Sequence, residues 1–417
     1  MYNKKDREII IENKLIRFWY QARDGKAFFE KTRRHKYRHL IREVFFTKYH
    51  LDVEGVNNAD AIFFISTPRP DLLEHFNSIY ESCDLSKVLI TTKIERHFHL
   101  TGLKAMLSCF SIFIANKDFY IDEYDDDANV IEAKKMVIPF WGRIYLWAFY
   151  SQIILMLKKV ETHIYGKKIA VVLNDCMSDE ALFVEMAKKL GITTVCCQEG
   201  MFCDNPNNKK DLPTMYLDQT SDYYILWGKY TQKLFLKYNK ECYSFVCGDP
   251  FINKNESNVV EKWCCVCDVP PFHQINQEMI DIVTKVAVTK NKKVDIRLHP
   301  QERGRENSYS INHEICRFVH EDLRYEAVFT HTSTMFYIFS AQGIKAYRYL
   351  TAYSKVMPGS NEMEFTNTKE LERLLLTEDE TSNNVNEYVA YIAEDAKEKY
   401  RETFRKIILL HEERFKA

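Results

Sequence analysis

Short apolar runs that alternate with helical patterns constrain the fold of this chain more than any other feature of its sequence. The runs are nearly continuously apolar, which is typical of strands covered on both faces of a parallel sheet. In the first half of the chain they predict strands at Ala61–Ser66, Val88–Thr91, Cys109–Ala115, Ile169–Asn174, Thr193–Cys197 and Tyr223–Trp227. A second series begins near residue 243 and predicts strands at Tyr243–Cys247, Lys262–Cys267, Val294–Leu298, Glu326–Thr330 and Ile344–Tyr349.

Helix signals fill the intervals between these runs. The clearest helix has an N-cap residue at Ser178, two acidic residues in its first turn, two lysines in its last turn and a stop at Gly191. A second helix is predicted at Asn276–Thr289, and one or two long amphipathic helices run from about Asn386 to Phe415. Strands that alternate with helices in this way predict an α/β fold.

The length of the chain predicts more than one domain. At 417 residues it exceeds what one hydrophobic core usually supports. We predict two Rossmann-like domains that face a cleft, with long C-terminal helices. The expected limits are a basic helical region at 1–55, an N-terminal Rossmann-like domain at 56–235, a C-terminal Rossmann-like domain at 236–380 and C-terminal helices at 381–417.

Charge is balanced over the whole chain but not along it. The formal net charge of −1 argues against a nucleic-acid-binding protein. Residues 1–50, in contrast, hold 14 Lys and Arg residues against 6 Asp and Glu residues. This basic region is suited to peripheral contact with an anionic membrane face or an acidic glycan, and solvated helix faces are the alternative interpretation.

The cysteines and the N-terminus indicate a reducing, cytoplasmic location. Six of the 12 cysteines fall inside apolar runs, where free cysteine behaves as a small hydrophobic residue: Cys196, Cys197, Cys247, Cys264, Cys265 and Cys267. Met1–Asp6 lacks the apolar core of a signal peptide. The apolar segment Met136–Leu157 contains Pro139 and Arg143, and it predicts a buried or interfacial helix rather than a membrane span.

Three groups of polar residues follow predicted strands, where ligands bind in sheets of this kind. The first is Gln198-Glu199-Gly200, which comes directly after Thr193–Cys197. A carboxylate at a strand end, followed by a glycine that lets the backbone turn, can act as a general base in the cleft. An ordinary turn with an exposed glutamate is the alternative.

The second group is Arg297-Leu298-His299-Pro300, at the end of the strand Val294–Leu298. Pro300 ends the strand and stiffens the turn, so that His299 can donate a hydrogen bond to a phosphate. Arg297 and His299 alternate along the strand and are expected on the same side. A structural histidine at a strand end is the alternative.

The third group is His331-Thr332-Ser333-Thr334, between the strand Glu326–Thr330 and a helical run. Hydroxyl groups and free backbone N–H groups at a helix N-terminus can hold a phosphate. Simple capping of the helix is the alternative, and the two roles are compatible.

The order of these features resembles two groups of bacterial transferases. One comprises the CDP-glycerol glycerophosphotransferases, and the other comprises sialyltransferases and polysialyltransferases with related Kdo transferases. The stretch Val171–Gly200 is similar to a signature of their N-terminal domains, and both groups share the His-Pro motif and a later Ser-rich motif. Three further short motifs are similar as well: Ser221-Asp222, Trp227-Gly228 and Gly248-Asp249-Pro250. The resemblance covers about residues 165–350.

The resemblance implies a fold of the GT-B type and a role for each matching residue. Glu199 corresponds to a general base, and His299 and the pair Ser333-Thr334 correspond to groups that hold the nucleotide phosphate. Gln198 stands where the sialyltransferases have a second acid, and the glycerophosphotransferases have histidine where this chain has Glu199. The glutamate favours CMP-sialic acid or CMP-Kdo over CDP-glycerol as the donor.

The function implied is inverting, metal-independent glycosyl transfer from such a donor, without a cofactor, to a bacterial surface polysaccharide or lipooligosaccharide. The domain at 56–235 would bind the glycan acceptor and the domain at 236–380 the nucleotide-sugar donor. Catalysis is assigned to Glu199 and His299. The predicted phosphate-binding residues are Arg297, His299, Pro300, Thr332, Ser333 and Thr334, and the candidate acceptor-binding residues are Arg69, His97, Asp175 and Gln198.

Other interpretations stay open at this point. A CDP-alditol phosphotransferase of teichoic-type polymers is an alternative enzyme, and a non-catalytic GT-B subunit of a polysaccharide synthase is an alternative of another class. A sugar-nucleotide epimerase or hydrolase would use the same cleft without an acceptor. No metal site is predicted, because His97 and His99 lack a third ligand nearby and Cys264–Cys267 has no partner motif.

Overall fold

A computed structural model describes most of the chain beyond residue 40. The residues it describes are 41–42, 44–46, 48–55, 59–66, 70–98, 100–108, 120–124, 133–137, 151–153, 155–157, 159–160, 162–173, 175, 178–202, 221–238, 243–252, 260–319, 325–359, 363–376 and 385–416. None of the helices in these ranges combines the length and the apolar character needed to cross a membrane. The basic stretch before residue 41 and most of the apolar segment Met136–Leu157 lie outside the described residues.

The first sheet contains seven strands from the first 246 residues. They are β1 Lys48–Gly55, β2 Ala61–Ile65, β3 Lys87–Glu95, β6 Ile169–Val172, β7 Thr193–Cys197, β8 Tyr223–Leu226 and β9 Tyr243–Val246. Their order is β1-β3-β2-β6-β7-β8-β9, and every neighbouring pair is parallel except β1 and β3. β4 Tyr120–Tyr124 and β5 Ala133–Val137 form a separate antiparallel pair.

Helices of the first half lie between these strands. They are α1 Pro70–Ser82, α2 Thr101–Ser108, α3 Ser178–Lys189 and α4 Lys229–Tyr238, and the described residues between 151 and 164 are also helical. α3 begins and ends where the acidic and basic residues of the sequence predict. Because β2, β6 and β7 are parallel, their carboxyl ends lie on one edge of the sheet.

The second sheet contains six parallel strands. They are β10 Val260–Val266, β11 Lys293–Arg297, β12 Cys316–Val319, β13 Tyr325–Thr330, β14 Lys345–Tyr349 and β15 Glu364–Phe365, in the order β12-β11-β10-β13-β14-β15. The helices that follow the strands are α5 His273–Thr289, α6 Met335–Ala341 and α7 Thr368–Leu374. Two sheets of this kind, each with helices packed against it, confirm the predicted α/β fold with two Rossmann-like units.

The last helices return from the second sheet to the first. α8 Val385–Tyr388 precedes the long helix α9 Ala393–Lys416. Four buried residues of α9 pack in one hydrophobic cluster with residues of the first sheet: Tyr400, Phe404, Ile407 and Ile408. Phe404 lies with its ring centroid 5.9 Å from that of Phe63 in β2. The long helix α9 thus completes the core of the first sheet.

Three features of the sheets differ from the sequence prediction. The strand at 243–246, which we assigned to the second series, pairs with β8 in the first sheet, so that assignment is wrong. Residues 48–55, expected within a helical region, form the antiparallel edge strand β1. β12 and β15 were not predicted, because a four-residue strand with an exposed arginine and a two-residue strand lack a continuous apolar run.

The chain crosses between the sheets twice, and the two crossings lie side by side. Asp249 follows β9, and its N–H donates to the carbonyl of Tyr391 at 2.9 Å, while the N–H of Ala393 donates to the carbonyl of Ile252 at 2.8 Å. Gly248 has a φ of +77°, and a Cβ atom there would lie 2.0 Å from the carbonyl oxygen of Tyr391. Glycine is therefore required where the two backbones meet.

The buried cysteines lead to a first prediction. Eight of the 12 cysteines are described, and all eight are buried and free. Burial raises the pKa of Cys83 to about 11 and that of Cys247 to about 12. Because the thiolate is the reactive form, we expect a thiol reagent at pH 8 to modify at most four cysteines of the folded protein and all 12 after unfolding. A fifth reactive thiol in the folded state would contradict this prediction.

Candidate active site

The two halves of the protein meet at the turn after β7 and the turn before α6. The N–H of Met201 donates to Oγ1 of Thr334 at 3.4 Å, and a Cβ atom on Gly200 would lie 3.5 Å from the same oxygen. The turn that carries Glu199 therefore touches residues 331–334 of the second sheet, which we call the Ser/Thr loop. Two of the three predicted groups of polar residues therefore lie side by side, although Met201 and Thr334 are 133 positions apart in the sequence.

Gln198 holds this turn from inside the protein. Its side chain is buried, and its amide nitrogen donates to the carbonyl of Gly200 at 2.8 Å and to Oγ1 of Thr231 at 3.3 Å. Its amide oxygen accepts from the N–H of Trp227 at 2.8 Å. These bonds occupy the side chain, so Gln198 fixes the conformation of the turn that presents Glu199. Its predicted contact with an acceptor stays untested.

Glu199 lies in a group of carboxylates at the ends of neighbouring strands. Glu180, in the first turn of α3, is buried, and its Oε1 accepts from the N–H of Ser66 at 3.1 Å. Burial raises the pKa of Glu180 well above its ordinary value, and the negative charges of Glu199 and Asp179 raise it further. Since Glu199 is only partly buried, this edge of the sheet combines a carboxylate that solvent can reach with a buried carboxyl that favours its protonated form.

His75 of α1 lies beside the same group. Its Nε2 is 3.1 Å from Oδ1 of Asp249, and both side chains are buried. Burial lowers the pKa of His75, but the charge of Asp249, with a smaller effect of Glu199, outweighs burial and leaves the pKa raised. The ring also packs against Trp227 and Phe251, at centroid distances of 5.8 Å and 5.7 Å. His75 therefore connects the cluster of carboxylates around Glu199 to the place where the chain crosses between the sheets.

His299 lies in a loop that fixes which ring nitrogen carries the proton. The N–H of Gln301 donates to Nδ1 of His299 at 3.2 Å, in the short 3-10 turn Pro300–Glu302. In the neutral ring, Nδ1 is then the acceptor and Nε2 carries the proton. The side chain is half-buried, so His299 can offer an N–H donor to an anionic ligand at this end of β11.

The Ser/Thr loop is held from below by Asp268, which follows β10. Oδ2 of Asp268 accepts from the N–H of Thr332 at 2.8 Å and from its hydroxyl at 2.6 Å. It also lies 2.8 Å from Nδ1 of His331, whose ring is fully buried. Both donor groups of Thr332 are therefore occupied within the protein. Ser333 and Thr334 remain the residues of this loop that can meet a phosphate, because Thr332 would first have to leave Asp268.

The other residues predicted for the site differ in how near they lie to Glu199 and His299. Arg297 and Pro300 flank His299 at the end of β11, and Asp175 is buried with its Oδ2 bonded to the hydroxyl of Tyr224 at 2.6 Å. His97 is exposed at the end of β3, with β2 and β6 between it and β7. Arg69 lies outside the described residues. Within the described ranges, no three His, Cys, Asp or Glu side chains come together as a metal site.

Four residues of the site were missed by sequence reasoning. Asp268 stands two residues after an apolar strand, so the rule applied to Glu199 and His299 would have found it. Glu180 was considered only as a favourable first-turn charge of α3. His75 in the middle of α1 and Glu302 after the His-Pro motif carry no periodic signal, because their positions depend on contacts with distant segments.

Comparisons with known proteins connect the fold to a group of enzymes. No family model matches the chain, and no curated protein matches it. Among solved structures, it is similar to a complex of the UDP-GlcNAc 2-epimerase of Methanocaldococcus jannaschii with UDP-GlcNAc and UDP, at 10% identity and a TM-score of 0.51, over 83% of this chain and 99% of the epimerase. A second structure of that enzyme gives 10% identity, a TM-score of 0.50 and the same coverage. The epimerase of Rickettsia bellii gives 12% identity and a TM-score of 0.49 over 84% and 96% of the two chains.

The fold is of the GT-B type. The likeness covers 83% of the chain and confirms the predicted architecture. The narrower resemblance is not supported, because the two similar structures with TM-scores of 0.51 and 0.50 are of a UDP-GlcNAc 2-epimerase and not of a sialyltransferase, Kdo transferase or CDP-glycerol transferase. The predicted transferase of CMP-sialic acid or CMP-Kdo is therefore wrong, as is its CDP-alditol alternative.

Proposed function

We propose that this protein is an enzyme that acts on a UDP-linked sugar bound between the two sheets. The observation that carries the proposal is the contact of the Glu199 turn with the Ser/Thr loop, through the bond from Met201 to Thr334. A ligand whose phosphates lie at the carboxyl end of the second sheet would extend its sugar toward Glu199 on the first. The nucleotide base is inferred from the similar structures, one of which contains UDP-GlcNAc and UDP.

The reaction that we favour changes the sugar itself, as in a UDP-GlcNAc 2-epimerase. Removal of a proton from a sugar carbon needs a base at that carbon, and Glu199 is the partly exposed carboxylate of the group. Return of a proton needs an acid, and burial favours the protonated form of the neighbouring Glu180. Transfer of the sugar to an acceptor is the second candidate, because the same glutamate could deprotonate an acceptor hydroxyl.

A binding experiment tests the choice of nucleotide. We expect UDP and UDP-GlcNAc, at 100 times their dissociation constants, to stabilise the protein by about 2.7 kcal/mol, and CMP and CDP to give no comparable shift. The variant His299→Ala should lose the stabilisation, since it removes the Nε2–H donor. His313→Ala, an exposed histidine of the same half, is the matched control and should respond as the wild type does. Stabilisation by CMP or CDP alone would contradict the proposal.

A reaction in D₂O distinguishes the two chemistries. With UDP-GlcNAc as the sole substrate, an epimerase should incorporate deuterium into the sugar and form its C2 epimer. A glycosyltransferase should instead release UDP only when an acceptor is added. Absence of both reactions with a protein that binds UDP would reject the enzymatic proposal and leave the nucleotide site.

A further inference from the structure

A continuous series of hydrogen bonds runs beneath the loops of the second sheet. It consists of Asp268, Asn276, Tyr309 and Glu302, which we call the bracing network. The network begins at the Ser/Thr loop after β13, passes under the end of β10 and finishes at the His299 loop after β11. Asn276 and Glu302 have no solvent-exposed surface.

Asn276 of α5 joins Asp268 to Tyr309. Its Oδ1 accepts from the N–H of Asp268 at 2.9 Å, and its Nδ2 donates to the carbonyl of Asp268 at 3.0 Å. The same nitrogen donates to the hydroxyl of Tyr309 at 3.3 Å. This position requires a side chain that both donates and accepts, which asparagine provides and a hydrophobic residue of equal size does not.

Tyr309 carries the connection to the His299 loop. Its hydroxyl donates to Oε2 of Glu302 at 3.0 Å, and the N–H of Glu302 donates to the carbonyl of His299 at 2.8 Å. Arg305 and His273 also bind the carboxylate of Glu302, at 3.2 Å and 3.3 Å. Because Glu302 has several partners, the Pro300–Glu302 turn is held in one conformation, and with it the direction of the His299 ring.

Asp268 carries the connection to the Ser/Thr loop at the other end. Its Oδ2 accepts from the N–H and the hydroxyl of Thr332 and contacts His331. Its backbone N–H and carbonyl are the two groups that Asn276 holds. A displacement of Asn276 would therefore move the residue on which the Ser/Thr loop rests.

We propose that the bracing network makes the His299 loop and the Ser/Thr loop a single rigid unit, with Asn276 and Tyr309 as positioning residues. The consequence for ligands rests on the proposed function: a phosphate held by both loops should lose affinity when the network is cut at its middle. Neither Asn276 nor Tyr309 needs to touch the ligand for this effect. The coupling of the two loops is a property of the free protein and does not depend on the identity of the ligand.

The test removes one hydroxyl group from the middle of the network. Tyr309→Phe keeps the ring and deletes both bonds of the hydroxyl. Tyr325→Phe is the matched control, because the Tyr325 hydroxyl is also buried beside a carboxylate, 3.3 Å from Oδ2 of Asp295, but lies outside the network. The measurement is amide hydrogen exchange of the unliganded proteins at residues 299–305 and 331–335.

We expect Tyr309→Phe to accelerate exchange in both segments by about tenfold, and Tyr325→Phe to accelerate neither. Thr332→Val, which cuts the network at its other end, should reciprocally accelerate exchange at 299–305. For UDP, Tyr309→Phe should raise Kd about tenfold while the control stays within about twofold of the wild type. Faster exchange at 299–305 with wild-type exchange at 331–335 would overturn the proposal. If the wild type binds no UDP, the proposed function fails, and the exchange data still decide whether the loops are coupled.

Discussion

The variant Glu199→Gln is expected to lower the turnover of a UDP-sugar about 100-fold to 10,000-fold, the usual range for loss of a general base. Glutamine retains the size of the side chain and removes its ability to accept a proton at neutral pH. The turn should keep its conformation, since Gln198 and Met201 hold it through their own hydrogen bonds. Affinity for UDP should change little, because the glutamate is assigned to the sugar and not to the phosphates.

The matched control is Glu185→Gln. Glu185 lies in α3 and is also partly buried. Its substitution by glutamine changes the net charge by the same amount as Glu199→Gln. Its variant should retain turnover within about twofold of the wild type, as is usual for substitutions away from a site. If Glu199→Gln keeps full turnover, or if both variants lose it equally, Glu199 is not the base.

The variant Gly248→Ala is expected to destabilise the protein by about 3–5 kcal/mol, which combines backbone strain with overpacking. The φ of +77° is unfavourable for alanine, and the new methyl group would lie 2.0 Å from the carbonyl oxygen of Tyr391. That oxygen also accepts the N–H of Asp249, so one crossing of the chain would be pushed away from the other. The measurement is the midpoint of thermal unfolding, which should fall by about 3–6 °C for a chain of 417 residues.

The variant Gly343→Ala separates backbone strain from overpacking as causes of the destabilisation. Gly343 follows α6 with a φ of +75°, nearly the same as Gly248, but nothing lies within 4 Å of the position its Cβ would take. Only the backbone strain applies there, so the expected loss is about 1 kcal/mol. Equal losses in the two variants would show that the close approach at Tyr391 adds nothing.

The sequence predicts the parallel strands well because both faces of these strands are buried. Continuous apolar runs identify β2, β7, β10 and β13 nearly to the residue. The same criterion does not identify β1, because its apolar residues Tyr49, Leu51 and Val53 alternate with polar residues along an edge strand. The membership of β9 could not be predicted from its own residues, because a short strand next to a crossing can pair with either sheet.

The site was predictable where a polar residue directly follows a strand. Glu199 and His299 were found by that rule, and their roles stay predictions. The supporting side chains of Asn276, Glu302 and His75 depend on specific partners 3 to 174 positions away, from Arg305 for Glu302 to Asp249 for His75. The prediction of a cytidine nucleotide was wrong for a related reason. A short motif that resembles a family specifies a turn and a phosphate contact but not the nucleotide base.

The return of α9 to the first sheet has a consequence for synthesis of the protein on the ribosome. Tyr400, Phe404, Ile407 and Ile408 complete a hydrophobic cluster whose other members come from residues 61–247. The first half therefore cannot finish folding while the second half is still being translated, although domains usually fold in the order in which they emerge. Until the last helix arrives, an apolar face of the first sheet stays open to solvent, and during that interval a chaperone has a surface to protect.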